Sequence, residues 1–120
     1  MSASRSPDRA LPSPVLYILL SLADEERHGY AIMQEVRART AGRVVLGPGA
    51  LYTSLQRALQ AGYIVETPAP RGQEPDARGR RSYRLTPAGR RAARRELARL
   101  QAVMQMARRA RLTPLPEVER

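Results

Sequence analysis

The chain has 120 residues and a net charge of +10, and all 21 of its strongly basic residues are arginine. That length suits one domain with a modest core, and the absence of cysteine excludes disulfides and thiolate metal sites. A sole histidine, His28, excludes a multi-histidine metal site, and the longest apolar run, "VLYILL" at 15–20, falls far below the ~20 residues of a membrane span.

Residues 1–12 read as a disordered arm carrying Arg5 and Arg9. The arm lacks the apolar core of a secretory signal, so a soluble cytoplasmic protein without metal or other cofactor is expected. Ser13 followed by Pro14 signals a helix start, with Ser13 as cap and proline in the first turn. "PVLYILLSLA" is apolar on nearly all sides, which predicts a buried central helix. "DEER" at 24–27 reads as a solvated, charged turn. His28 beside Gly29 suits a cap or turn, since no second histidine or nucleophile accompanies it.

A second helix is predicted from about Gly29 to Thr40. Ile32, Met33, Val36 and Thr40 share one face, and Tyr30, Gln34 and Arg37 share a polar one. Gly42 ends it. "RVVL" at 43–46 is β-branched and short, which suggests a small strand. "GPGALYTSLQRALQAGYI" opens a third helix, with Gly47 as a permissive cap and Pro48 fixing the first helical φ. Leu51, Leu55, Ala58 and Leu59 face inward. Gly49, Thr53, Gln56, Arg57 and Gln60 face outward, with Tyr52 on the border. "YIVET" at 63–67 reads as a strand. Residues 68–80 hold three prolines and two glycines and form a loop. "RSYRLT" at 81–86 is the returning strand, with Tyr83 and Leu85 on one face and Ser82 and Arg84 on the other. Thr86 and Pro87 cap a last helix reaching about Arg111. Within it Ala93, Leu97, Leu100, Met104 and Ala107 follow the spacing of a coiled-coil seam. A helix that long exceeds what so small a domain can cover, so the stripe is expected to pair with a second copy. Residues 112–120 are a flexible, proline-broken tail.

Charge is not spread evenly. Residues 71–111 carry thirteen arginines against Glu74, Asp76 and Glu96, which accounts for the whole net charge. A one-signed block points to a polyanion, whereas an ordinary solvated surface mixes signs. The expected fold is mainly α with a small β-hairpin. It comprises a winged helix-turn-helix domain at 13–86 and a C-terminal dimerisation helix at 87–111. A DNA major groove admits one α-helix. The third helix suits it, because Thr53, Gln56, Arg57 and Gln60 offer polar groups and no carboxylate toward flanking phosphates. Gly49 lets the helix N-terminus approach a phosphate. Arg78, Arg80 and Arg81 at the hairpin would reach the backbone or the minor groove.

"HGYAIMQEV", "GPGALYTSLQR" with "GYIVE", and "GRRSYRLTPAGRR" resemble the PadR family of transcriptional regulators, over roughly residues 13–100. The resemblance implies a winged helix, homodimerisation through the last helix, and binding to double-stranded operator DNA. Repression is the usual mode, with relief by a small-molecule inducer in many members. It places Tyr30 at the front of the second helix, Tyr52 and Thr53 on the reading helix, and Arg80 and Arg81 at the wing. Gly47 stands where the family commonly has Ser, and Ala58 where Leu is common. Tyr52 is open to two readings, a packing ring or a phosphate contact. Two other functions stay open from the residues alone: a basic RNA-binding protein and a winged helix used for protein contacts. RNA readers commonly stack bases on exposed aromatics, and three of the five tyrosines, Tyr17, Tyr63 and Tyr83, are expected inside. An enzyme has the least support. If DNA is bound as a symmetric pair, the operator is an inverted repeat.

Overall fold

The "SPVLYILLS" segment forms α1 (Ser13–Ser21) in the computed structural model, which describes residues 10–68 and 81–113. Arg78 and Arg80, most of the N-terminal arm and residues 114–120 lie outside the described residues. Pro12, rather than Ser13, is the N-cap of α1. Its backbone is extended, its carbonyl accepts from Leu16 N at 3.1 Å, and no side chain caps the helix. Ile18 and Leu19 are fully buried. Ser21 is buried beside them, its hydroxyl satisfied by donation to the Ile18 carbonyl at 2.8 Å. α1 packs against three further helices: α2 (Gly29–Arg39), α3 (Pro48–Gln60) and α4 (Pro87–Arg109).

Three strands form one antiparallel sheet in the order β1-β3-β2: β1 (Arg27–His28), β2 (Ile64–Thr67) and β3 (Ser82–Leu85). The strand expected at 43–46 does not form. Both edges of β3 are taken, by β2 and β1. Residues 44–46 instead run as a connection in which Thr40 Oγ1 accepts from Val44 N at 3.0 Å and only Leu46 is buried. The third strand, β1, begins at the last residue of the expected turn at 24–27 and pairs with the edge of β3. Arg27 anchors it. Its side chain is 12% exposed, donates through Nε to the Ser21 carbonyl at 2.7 Å, and meets Glu25 and Glu35 at 3.2 and 3.4 Å. His28 then caps α2, its Nδ1 accepting from Ala31 N at 3.2 Å. Ser82 also departs from simple alternation. It pairs with His28 and is buried, so β3 exposes only Arg84.

α3 buries Leu51, Ser54, Leu55 and Ala58, with Leu59 half-buried. It stops at Gly62, whose φ of +80° is the left-handed conformation that glycine adopts without strain. α4 starts at Thr86, a three-way junction. Its hydroxyl accepts from Gly89 N at 3.0 Å and donates to the Gly62 carbonyl at 2.7 Å, while its amide donates to the Tyr63 carbonyl at 3.0 Å. Gly89 is obligatory here, because a Cβ would fall 2.1 Å from Tyr63 O. Gly89→Ala is therefore expected to lower stability by about 1–3 kcal/mol, overriding the ~1 kcal/mol that alanine gains as a helix former. Denaturant unfolding measures it, and an unchanged midpoint would show that α4 does not dock this closely.

α4 divides in two. Ala92, Ala93 and Glu96 are buried in the domain. Glu96 holds three donors, Leu11 N at 3.1 Å and the Arg99 guanidinium, whose closest approach is 2.6 Å. The Arg99 hydrogen bonds keep its carboxyl below the ordinary carboxylate value. Beyond Glu96 the helix leaves the domain. Among the described residues, no helix is long and apolar enough to cross a membrane.

Candidate nucleic-acid interface

The apolar side of α3 is fixed against α1 and the start of β2, which decides what the helix presents outward. Gly49, Tyr52, Thr53, Arg57 and Gln60 are exposed, and Gln56 is half-buried. Tyr52, which periodicity places on the border, is 65% exposed. No acid occurs in α3, and its Pro48–Gly49 start leaves the N-terminal amides uncovered by side chains.

Beside this face lies a cleft of about 710 Å³ between α2, α3 and the β2–β3 hairpin. Tyr30, Tyr52, Gln56 and Arg81 line it together, although they come from two helices and the connection before β3. Tyr30 is 54% exposed at the first turn of α2. Gly49, Thr53, Arg57 and Gln60 continue the outward face of α3 outside the cleft.

Among the further residues lining the cleft are Met33, Glu66 and Tyr83, none of them expected there. Tyr83 is buried, and burial pushes its phenol above the ordinary value. Glu66 lies directly opposite Tyr83 in the β2–β3 register, and its Oε2 is 3.0 Å from Arg81 Nη1. That hydrogen bond raises the Arg81 pKa further above an already high value. The period of two from Ile64 puts Glu66 on the Ile64 face of β2 but does not place that face against the cleft, which the β2–β3 pairing does.

The second candidate surface is the outer part of α4. Leu97 and Leu100 are 42% and 37% exposed, Met104 and Ala107 are half-buried, and Val103 and Met106 add apolar area. Ala93, the first member of the expected stripe, is buried in the core of its own domain. Among the described residues no group of His, Asp or Glu could hold a metal ion.

A helix with one locked apolar face and one acid-free face, flanked by a hairpin and followed by a long helix, can now be compared with known proteins. The model of the transcriptional regulator PadR-like family matches residues 18–95. The chain belongs to the PadR-like family. Over 75 residues it is 43% identical to transcriptional regulator Rv3488 of Mycobacterium tuberculosis, covering 62% of this chain and 64% of that relative. RosR of H. salinarum matches with a TM-score of 0.62 and 26% identity, over 87% of this chain and 88% of that one. A PadR family transcription regulator from hypervirulent Clostridium difficile matches with a TM-score of 0.68 over 82% of this chain and 97% of that one. Its 21% identity supports the shared fold alone. The family is one of transcriptional regulators, and the chain spans just under two thirds of the length of the Mycobacterium relative. The matched span ends at Arg95, so the apolar stripe from Leu97 onward lies beyond it.

Proposed function

We propose that this PadR-like chain is a homodimeric, sequence-specific regulator of double-stranded DNA that represses by occupying its operator and is released by a small molecule. The observation that carries the reading is the outward face of α3. It is polar, free of carboxylates and held by a buried apolar face, as a helix seated between two phosphate backbones requires. The N-terminus of α3 supplies a site for a backbone phosphate. Arg81, at the base of the hairpin, supplies another. Pairing of two α4 stripes supports the dimer, since Leu97, Leu100 and Val103 otherwise remain in water. Repression by occupancy needs no further surface. The cleft beside α3 offers a concave, partly apolar volume within the range that small ligands fill.

Gln56 tests the reading face. Its side chain lies midway along α3, where a carboxamide can bond a base edge. Gln56→Ala is expected to lose about 1–3 kcal/mol against the preferred duplex and little against random duplex. Arg81→Ala should weaken both alike, as a phosphate contact does. Anisotropy titrations of both variants on both duplexes measure this. Equal losses for Gln56→Ala on the two duplexes would place base readout elsewhere.

A further inference from the structure

A surface that meets phosphates should exclude carboxylates, yet Glu66 lines the cleft with Tyr52, Gln56 and Arg81. Among the described residues lining that cleft it is the one acid. Its place follows from the sheet. Glu66 is opposite Tyr83, so Arg81, two residues earlier, is its diagonal neighbour on the same face, within reach of a long side chain. Oε2 and Nη1 meet at 3.0 Å, with the side chains 40% and 65% exposed. A pair this wet adds little to folding. What it does determine is where the Arg81 guanidinium is held and which anion it holds. The planar fork of arginine matches a carboxylate and a phosphate alike.

We propose that Glu66 is the resident counter-anion of a phosphate subsite centred on Arg81, displaced from the guanidinium when a DNA phosphate docks. The inference rests on the DNA reading above. Docking exchanges one anion for another at Arg81, so this arginine contributes less net affinity than an unpaired one. The released carboxylate then faces the backbone and adds repulsion. Both effects act on any duplex and leave base readout by Gln56 untouched. Glu66 thereby holds down indiscriminate binding in a chain of net charge +10.

The test is a double-mutant cycle read by anisotropy on a random-sequence duplex and on the preferred duplex. Glu66→Gln keeps the shape and removes the charge. It should tighten binding to both duplexes by about two- to five-fold per protomer, the range an exposed ion pair allows. Arg81→Ala should weaken both. In the Arg81→Ala background, adding Glu66→Gln should return much less than it does alone, because no guanidinium remains to be freed. An unchanged thermal midpoint for Glu66→Gln assigns the gain to binding. A neutral or weakening Glu66→Gln overturns the proposal. So does an equal gain in both backgrounds, which would make Glu66 a source of general repulsion only. If Arg81→Ala is silent while Gln56→Ala loses the preferred site, the subsite is wrong and the α3 reading stands. If both are silent, the DNA-facing assignment fails and the subsite fails with it.

Discussion

Raising the salt from 50 to 200 mM is expected to weaken binding to duplex DNA by about 10³–10⁵-fold, the response of a protein that neutralises ~6–10 phosphates. The motive is the thirteen arginines of residues 71–111, faced by three acids. Among the described residues, Glu66 on β2 pairs with Arg81 and Glu96 pairs with Arg99. Arg84, Arg90, Arg91 and Arg94 are exposed along β3 and the first turns of α4. Cations on an exposed surface release counterions from DNA when they dock, and each release adds to the slope of affinity against salt. A titration series across that range checks the prediction. A flat response would mean that binding, if any, is not carried by the basic third of the chain.

The second large effect concerns α4. Replacing Leu100 with Asp is expected to leave a helical, folded chain that sediments as a monomer. The domain core ends near Ala93 and Glu96, so Leu100 lies outside it and the substitution disturbs no buried contact of the domain. In a paired seam the same carboxylate would be desolvated without a partner, at several kcal/mol per copy. That is enough to lower association by about a thousandfold or more. Operator affinity should fall with it, toward the ~10⁻⁴–10⁻⁶ M of non-specific binding, because one half-site is read at a time. Sedimentation and circular dichroism together separate this from unfolding. If the unaltered protein is already monomeric at micromolar concentration, the stripe does not serve pairing.

The elements that could be read from the sequence are those whose signals are local. Pro48 after Gly47, Thr86 before Pro87 and Gly62 after α3 each fix a helix end through φ or a cap, and the structure follows them within a residue. Two strands of the hairpin were legible from local signals, the β-branched run of β2 and the alternation of Tyr83 and Leu85 in β3, on either side of a proline-rich segment. β1 was not. It is two residues long, begins with a charged residue, and exists because β3, some fifty-five residues later, has a free edge. No window on residues 24–28 contains that information. Small polar residues misled in another way. Ser54 and Ser82 are buried because they are small enough to pack, whatever their polarity suggests. The stripe of α4 shows a third limit. Its 4-3-4-3 spacing runs unbroken from Ala93 to Ala107, but periodicity does not say what covers each position, and the domain takes Ala93 for itself. At the site, α3's outward residues came from one helical wheel. The cleft required the β2–β3 register, so Glu66 and Tyr83 were reachable only once that pairing was known.

The central claim is that two copies of α3 read DNA as a symmetric pair. Selection of bound duplexes from a random-sequence pool, followed by sequencing, tests it most directly. An inverted repeat with half-site centres about one helical turn apart, ~10–10.5 base pairs or ~34–36 Å, is expected to be enriched. Enrichment of a single asymmetric site, or no enrichment over the starting pool, would contradict it.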